Sequence, residues 1–332
     1  MTGGSSTDPI ETGQPGGGET ADRLGVSDDI VAGFQLEGRA VRGRVARLGA
    51  LAEDILSAHA YPYPVAALVG EAALLALLIG ANMKFKGRLI IQASGRSGAA
   101  RGPVRFVVAD YTVGEGVRAF AQYDADGVQA LEAEHGRQPG AEALLGPGAF
   151  VMTVDQGADM QRHQGVTPLE PGSLARSAET YFMQSEQLPT RISLAVGQGM
   201  RDGADAMSWR AGGAMIQRIA SDEARPSDEG DFEHAKALFD TIEDVELIDP
   251  DVSAGRLLYR LFHEEGVRVF EPETVSKRCT CERTRLARIL ASFSEDDRAH
   301  MVEDGRIVMT CEYCNIPWRF DPEEIEAELK RG

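Results

Sequence analysis

Apolar and polar residues alternate between Ile30 and Gly49, and a period of two residues predicts β-strand. Strand composition also marks GRLIIQASG and GPVRFVVADYT, which are joined by the Gly-, Ser- and Arg-rich turn SGRSGAARG. Further strands are predicted in GAFVMTVDQG, around HQGVTPLE, in TRISLAVGQG and in AMSWRAGGAMIQRIA. The N-terminal part of the chain is therefore expected to contain a substantial sheet.

Helical patterns lie between these strands. ALAEDILSAHAY predicts a helix that ends at Pro62, and SLARSAETYFMQSEQLP predicts another that is closed by Pro189. Strands and helices mix without a regular βαβ alternation. The pattern therefore predicts an α+β fold with a largely antiparallel sheet, which we assign to residues 27–220.

One run, PVAALVGEAALLALLIGANMKF, is apolar over about the length of a membrane span. Glu71 lies well inside it, and a carboxylate in the middle of a bilayer is costly. Gly70 and Gly80 also interrupt the run. It is therefore predicted to be a buried core helix that begins near Pro64 as a first-turn proline, and no membrane partner is expected.

The composition changes after residue 220. Between Ser221 and Asp251 there are twelve acidic residues and two basic ones, which gives a net charge of −10. Apolar residues nevertheless recur at helical spacing, at Phe232, Ala235, Leu238, Phe239 and Ile242. Two interpretations stay open: an amphipathic helix that needs a partner surface, or a solvated helical face. A second helix and a short strand follow in SAGRLLYRLFHEEGVRVFEPETV, and residues 221–275 are assigned to an acidic helical linker.

The charge of the whole chain limits its partners. The formal net charge is −18 and the pI is about 4.8, and such a field repels phosphate backbones, so nucleic acid is not expected to bind. Residues 1–26 are rich in Gly, Ser, Thr and Pro, which predicts a disordered tail. This tail has neither the basic start nor the apolar segment of a signal peptide, so a cytoplasmic protein is expected.

The chain has four cysteines, Cys279, Cys281, Cys311 and Cys314, in a C-x-C and a C-x-x-C pair. In a reducing cytosol such a cluster favours metal binding or redox activity over a structural disulfide. Tetrahedral Zn²⁺ takes four thiolates, and close pairs let one chain supply two ligands at a time. His300 lies between the pairs, but within a predicted charged helix, so it is not expected to be a ligand. We therefore predict one zinc ion on the four cysteines.

The segment 276–332 contains few large apolar side chains. A domain of this size is marginal without a crosslink, so its fold is expected to depend on the metal. Thiolates close to Lys277, Arg278, Arg283 and Arg285 are also suited to react with oxidants, whereas zinc binding lowers that reactivity. The four thiols could hold a metal, form disulfides, or do each in turn.

The residues around the cysteines also suggest two functions besides metal binding with reversible disulfide formation. The basic residues near the first cysteine pair, with Arg288, would suit a zinc-ribbon nucleic-acid binder, although the overall negative charge opposes it. A thiol-disulfide oxidoreductase could use Cys311 and Cys314, but no βαβ pattern precedes them. The six histidines show no metal-type spacing, and no catalytic residue is predicted. The chain is therefore not expected to be an enzyme.

The stretch YFMQSEQLPT has two interpretations. Its helical spacing favours core packing, through Tyr181, Phe182, Ser185 and Leu188. The alternative is a surface that includes Phe182 and Met183 and binds another protein or a second copy of the chain. Of the two tryptophans, Trp209 is predicted to lie in the core and Trp318 to pack on the zinc site.

Several stretches together resemble one known family. They are YFMQSEQLPTR, AGGAMIQ, LLYRLFHEEGVRVFEP, KRCTCERTR and EDGRIVMTCEYC. From about Ile30 to its end the chain resembles the redox-regulated bacterial heat-shock chaperones, the thirty-three-kilodalton chaperonin family. It departs from the family pattern in its Gly-rich N-terminal tail and in the longer turn SGRSGAARGPV, neither of which touches the cysteines.

The resemblance implies a function and a switch. It implies an ATP-independent holdase that binds unfolding client proteins during oxidative and heat stress, supports their refolding, and is a homodimer when active. It implies that the four cysteines bind zinc in the reduced, inactive form. It also implies that oxidation forms the disulfides Cys279–Cys281 and Cys311–Cys314, releases zinc and unfolds the linker. Residues 27–220 would then bind substrate and dimerise, and residues 276–332 would be the redox switch.

Overall fold

The structure is a computed structural model, which describes residues 10–12, 27–83, 87–96, 98, 101–157, 160–200, 206–220, 229–279, 281–323 and 325. Two compact units divide the chain, Met1–Lys277 and Arg278–Gly332. Of the predicted tail, the structure describes only Ile10–Thr12, which forms a short strand. The rest of the tail and the first part of the acidic linker, 221–228, lie outside the described residues.

The strands of the described residues are β1 Ile10–Thr12, β2 Ile30–Leu36, β3 Val41–Leu48, β4 Arg88–Gly95, β5 Val104–Thr112, β6 Gly116–Tyr123, β7 Gly148–Asp155, β8 His163–Pro168, β9 Thr190–Gly199, β10 Ser208–Arg218, β11 Val267–Val269, β12 Glu273–Thr274, β13 Val302–Glu303, β14 Arg306–Thr310 and β15 Pro317–Phe320. The helices are α1 Ala50–Leu56, α2 Tyr63–Gly80, α3 Ala125–His135, α4 Ala141–Leu145, α5 Leu174–Tyr181, α6 Glu229–Phe239, α7 Asp244–Ile248, α8 Ala254–Phe262, α9 Arg283–Ala291 and α10 Glu295–His300. A π-helical turn, Phe182–Glu186, continues α5.

The N-terminal unit contains two antiparallel sheets. The first has the strand order β1-β11-β2-β3-β10-β9, with β12 also paired to β2, and the second has the order β6-β5-β4-β7-β8. Every pair of named strands in both sheets is antiparallel. The predicted α+β fold with a largely antiparallel sheet is therefore confirmed. The strand β6 and the helices α3 and α4 were not among the predicted elements.

The apolar helix α2 lies between the two sheets. It contacts β4, β5 and β6 of one sheet and β3, β9 and β10 of the other, and all but three of its residues are buried. The helix is long and apolar enough to cross a membrane, but 83% of it is buried inside the protein. The predicted core helix is confirmed. Glu71 on this helix accepts a hydrogen bond from the backbone N–H of Leu174, 3.0 Å away, at the first turn of α5.

The first sheet also buries its other face. There α6, α7 and α8 pack on the strands and form a second apolar core, separate from the one around α2. Phe232, Ala235 and Phe239 of the acidic stretch are buried in this core, so the described part of that stretch is a partnered amphipathic helix. Beyond α8, the strand β11 pairs with β2 and belongs to the same sheet.

Candidate functional site

The C-terminal unit is built on a small apolar core and a three-stranded antiparallel sheet, β13-β14-β15. Helix α9 places Leu286 and Leu290 one turn apart on the same face, and both are buried. They pack with Ile307 of β14 and Phe320 of β15. Helix α9 was not among the predicted elements; Arg285 and Arg288 interrupt its apolar residues. This small core positions the four cysteines.

The two cysteine pairs are separated in sequence by α9, α10, β13 and β14. Cys279 and Cys281 precede α9, whereas Cys311 and Cys314 lie in the turn between β14 and β15. The backbone N–H of Cys311 donates to the carbonyl of Ile316 at 3.1 Å, and that of Asn315 donates to the carbonyl of Cys311 at 2.8 Å. Asn315 takes a left-handed conformation with φ of 56°, which asparagine tolerates better than most residues. These bonds turn the chain so that both cysteines face the same side.

The structure brings the four sulfur atoms together. All four Sγ atoms lie within 4.8 Å of one another. The Sγ atom of Cys279 is 2.9 Å from that of Cys281, 3.5 Å from that of Cys311 and 3.4 Å from that of Cys314. A tetrahedral zinc site with Zn–S bonds of ~2.3 Å has S···S edges of roughly 3.8 Å. The cluster is thus compatible in size and chemistry with one soft metal ion.

Burial disfavours the ionised form of the thiols and raises the pKa of three of them. It raises the pKa of Cys279 to about 11 and also raises the pKa values of Cys281 and Cys314. Burial acts in the same direction on Cys311, but hydrogen bonds with the backbone N–H groups of Cys314 and Tyr313 and with the side chains of Cys279 and Cys314 together lower the pKa of that thiol. A bound cation would reverse this tendency, because metal ligation requires thiolates and therefore displaces protons.

Other residues singled out by the sequence lie in distinct places. His300 is not a member of the cysteine cluster, and its Nδ1 lies 2.7 Å from the carbonyl oxygen of Asp296. Trp318 packs against the core of the C-terminal unit, and its contact with the metal site stays a prediction. The Arg283 guanidinium donates to the carbonyl of Arg319 at 3.0 Å, so this basic residue has a structural partner.

The N-terminal unit has a feature that the cysteines do not explain. We call the described residues 229–262, which include α6, α7 and α8, the acidic cover. They lie over one apolar face of the first sheet, where Phe34, Val45, Ala214 and Ile216 are almost fully buried. In each of the three helices at least one leucine or phenylalanine is buried against this face. Removing the cover would expose a continuous apolar surface.

Two arginines of the sheet hold the acidic cover through its backbone. Arg47 of β3 is 3% exposed and donates to the carbonyls of Glu246, at 3.3 Å, and of Asp249. Arg210 of β10 is 6% exposed and donates through Nε to the carbonyl of Ile248 at 2.6 Å. These carbonyls belong to the last turn of α7 and the residue after it. The negative end of a helix therefore meets two cations.

One carboxylate balances these cations. Asp28 forms a bidentate pair with Arg210, at 2.6 and 2.9 Å, and lies 3.8 Å from the Nε of Arg47. A buried guanidinium without a counterion would be strongly destabilising. We call Arg47, Arg210 and Asp28 the arginine clamp. The residues of the clamp lie in or beside the sheet, so they would remain with the sheet if the cover dissociated from it.

Further ion pairs hold the two ends of α6 within the acidic cover. Arg39 pairs with Asp231 at 2.6 Å, near the start of α6. Arg191 of β9 pairs with Asp240, also at 2.6 Å, directly after α6. These groups are more exposed than the arginine clamp, so each pair contributes less to stability.

Close approach of the cover to the sheet requires a glycine. At Gly212 of β10, a Cβ atom would lie 2.0 Å from the carbonyl oxygen of Leu247 in α7. No residue with a side chain fits at that distance, so glycine is needed here for contact between two backbones. Sequence reasoning placed Gly212 in the stretch AGGAMIQ but gave it no role.

The stretch YFMQSEQLPT is divided between core and surface. Tyr181 and Phe182 are buried in the core around α2, as core packing predicts, and Leu188 packs partly against it. Ser185 is exposed, and Met183 is 54% exposed. The predicted core position of Trp209 is also confirmed.

Comparison with known proteins identifies the family. The sequence profile of the Hsp33 protein family matches residues 29–321. The 33 kDa chaperonin of Caulobacter vibrioides is 49% identical over 305 residues, which cover 92% of this chain and 98% of that protein. The 33 kDa chaperonin of Shewanella loihica is 34% identical over 308 residues, with the same coverage. The chain belongs to the Hsp33 protein family.

A solved structure supports the fold. The crystal structure of the 33 kDa chaperonin, or heat shock protein 33 homolog, of Thermotoga maritima has a TM-score of 0.72 and 23% identity to this chain. The match covers 91% of this chain and 98% of that one. The family is one of chaperones and not a class of enzymes. The four-cysteine cluster near the C-terminus is compatible with a metal site in such a chaperone.

Proposed function

We propose that this protein is a redox-regulated, ATP-independent holdase that binds unfolding proteins during oxidative and heat stress. The observation that carries this proposal is the convergence of all four cysteines of the chain in one cluster. Such a cluster can alternate between metal binding and disulfide formation. Membership of the Hsp33 family favours this use over a purely structural one.

In the reduced protein, Cys279, Cys281, Cys311 and Cys314 would hold one zinc ion. When bound, zinc would supply a four-coordinate crosslink that stabilises the small C-terminal unit. The chain's own part is to hold two thiol pairs at matching distances by the turn at Asn315 and the core under α9. This form would be inactive as a chaperone.

Oxidation would join Cys279 to Cys281 and Cys311 to Cys314. Formation of each disulfide removes two electrons from a pair of zinc-bound thiolates, and one peroxide molecule accepts these electrons together with two protons from the solvent and leaves as two waters. The sulfur atoms would then no longer be available as thiolate ligands. Zinc would be released, and the C-terminal unit would lose the crosslink that stabilises it.

The acidic cover supplies the second part of the switch. Its helices are short, and α6 and α7 are acidic, so these helices have little stability of their own without a partner surface. Its stability comes from the apolar face and the arginine clamp. We propose that oxidation shifts this equilibrium, so that the cover dissociates from the sheet. The exposed apolar face then binds unfolded clients. The negative charge of the chain would limit aggregation of the open form.

The roles of the units follow from this scheme. Residues 27–220 would bind clients and form the homodimer of the active protein, residues 221–275 would be the releasable linker, and residues 276–332 would be the redox switch. The protein would act in the cytoplasm, without nucleic-acid or membrane partners. Equilibrium sedimentation of the reduced and oxidised forms would test the dimer, which is expected only after oxidation.

A single experiment tests the switch. Zinc-loaded protein is treated with peroxide at elevated temperature while a colorimetric chelator reports zinc and light scattering reports an aggregating client. Zinc release and suppressed scattering should occur together, and a thiol reductant with added zinc should reverse both. A Cys311→Ser/Cys314→Ser variant should be unable to complete the redox cycle. Zinc release without client protection would mean that the cysteines form only a structural crosslink, and it would refute the proposal.

A further inference from the structure

The N-terminal unit contains a cavity whose lining includes no residue of the acidic cover. Its volume is about 250 Å³, and it is lined by strands β2, β3 and β10, by Asn82 after α2 and by Phe270 after β11. We propose that this cavity binds a small oxyanion, a phosphate or carboxylate group carried on a small apolar body. This inference does not depend on the proposed chaperone function.

Two arginines supply the positive charge of the cavity. Arg42 and Arg44 are two residues apart on β3 and therefore point to the same face of the sheet. Burial lowers the pKa of both guanidinium groups, and the neighbouring charge of Arg42 lowers that of Arg44 further. Both remain charged at neutral pH. The cavity wall thus holds two cations in one small space.

These cations are poorly compensated by the part of the chain that the structure describes. Arg44 donates one hydrogen bond, from Nη2 to the Oδ1 of Asn82 at 3.2 Å. The Nε of Arg42 is buried and has no hydrogen-bond partner among the described residues. Neither arginine has a described carboxylate within 4.0 Å, and Glu273, which acts on Arg44 through space, is exposed. By contrast, the buried arginines of the clamp share Asp28.

An oxyanion would satisfy these groups. A half-buried guanidinium that lacks a counterion is costly, and the planar fork of arginine matches carboxylate and phosphate oxygens. The rest of the lining fits an apolar body, because Met215 and Phe270 contribute carbon surface and Gln35 adds an amide. The volume is below the ~300–1,000 Å³ of pockets for drug-sized ligands. A ligand of one small ring or short chain is therefore indicated.

Binding can be measured on the full-length, reduced, zinc-loaded protein by titration calorimetry. The probes are inorganic phosphate, phenyl phosphate and benzoate, each compared with chloride at matched ionic strength. We expect saturable binding of at least one probe, with phenyl phosphate tighter than inorganic phosphate if the apolar lining contributes. The order of phenyl phosphate and benzoate distinguishes the two oxyanions.

Matched variants locate the site. Arg42→Gln and Arg44→Gln should each weaken binding at least tenfold, and Arg42→Lys should weaken it as well, because lysine lacks the planar fork. Arg105→Gln, an exposed arginine on β5, should bind like the original protein. Circular dichroism establishes that each variant is folded. If Arg42→Gln does not fold, Arg42→Lys replaces it in the binding experiment.

Two results would overturn the inference. One is the absence of saturable heat with all three probes. The other is binding that persists unchanged in folded Arg42 and Arg44 variants, which would place the anion elsewhere. Because neither readout involves zinc release or client protection, failure here would leave the chaperone proposal untouched, and failure of the chaperone assay would leave this site untouched.

Discussion

Adding one methyl group at Gly212 should open the acidic cover without oxidation. The Cβ of Gly212→Ala would lie 2.0 Å from the carbonyl oxygen and 2.7 Å from the carbonyl carbon of Leu247. Both atoms belong to backbone, so no side chain can rotate away. Helix α7 must therefore move off β10 by roughly 1 Å to restore an ordinary van der Waals contact.

The cost can be estimated from the bonds that this movement breaks. Arg47 and Arg210 donate to carbonyls within three residues of Leu247, and hydrogen bonds to charged groups contribute ~1.5–3 kcal/mol each. Leu247 itself is 1% exposed, and burial of a leucine contributes ~1.5–3 kcal/mol. Replacing glycine by alanine returns only ~0.4–1 kcal/mol through the unfolded chain. If the movement breaks one of these hydrogen bonds and exposes Leu247, the net loss in the local stability of the cover is about 4 kcal/mol.

Hydrogen exchange measures this loss directly. In zinc-loaded, reduced Gly212→Ala, amides of residues 229–262 should exchange roughly 10²–10³ times faster than in the original protein. Strands β4–β7 should keep their protection and zinc should stay bound. If the open face is the client site, the variant should also suppress client aggregation without peroxide.

The neighbouring strand offers a control. At Gly199 of β9 an added Cβ meets only the Cδ of Arg210, at an ordinary 3.5 Å, so Gly199→Ala should leave the cover protected. Unchanged exchange of residues 229–262 in Gly212→Ala would refute the steric argument. Equal acceleration in β4–β7 would show general destabilisation of the unit instead of release of the cover.

Three further changes should have separable effects. Burial, partly offset by the N–H of Leu174, raises the pKa of Glu71 to about 7, so this carboxyl destabilises the folded protein increasingly as pH rises from its unfolded value towards 7. The stability advantage of Glu71→Gln over the original protein should therefore grow by ~2 kcal/mol between about pH 5.5 and pH 8, measured by urea unfolding. Arg210→Met breaks the pair with Asp28 and one bond to α7, so it should raise hydrogen exchange in the cover at least tenfold. Removal of zinc by a chelator should unfold Arg278–Gly332 and leave Met1–Lys277 protected, and zinc affinity should increase with pH, because burial raises the pKa of thiols such as Cys279.

Each of these expectations has its own contrary result. A pH-independent difference between Glu71→Gln and the original protein would mean that Glu71 is ionised in the folded state. Arg88 also forms ion pairs in a sheet, with Asp110 and Asp155, but it does not contact the acidic cover. If Arg88→Met opens the cover as much as Arg210→Met does, the clamp has no special role. Retained protection in the C-terminal unit after chelation would show that its core folds without metal.

The sequence predicted those features that depend on local spacing. The cysteine pairs, the apolar helix α2 and the amphipathic stretch from Phe232 to Ile242 are all visible in short windows of sequence. It did not predict the arginine clamp, because Arg47 and Glu246 are 199 residues apart and meet only through the strand order. The role of Gly212 was invisible for the same reason. The apolar period of α6 indicated that a partner surface was needed but not which face of which sheet supplies it.

In sequence, the acidic cover connects two strands of the same sheet, β10 and β11, and this connection has a kinetic consequence. The chain leaves this sheet at the end of β10 and returns to it at β11, and β3 and β2 lie between them in the sheet. A released cover would thus remain a loop tethered at both ends next to the surface it had covered. Its re-docking would be intramolecular, with a high effective concentration and a rate independent of protein concentration. Under the proposed switch, a bound client would compete continuously with this loop, so its release after reduction would require no external energy source.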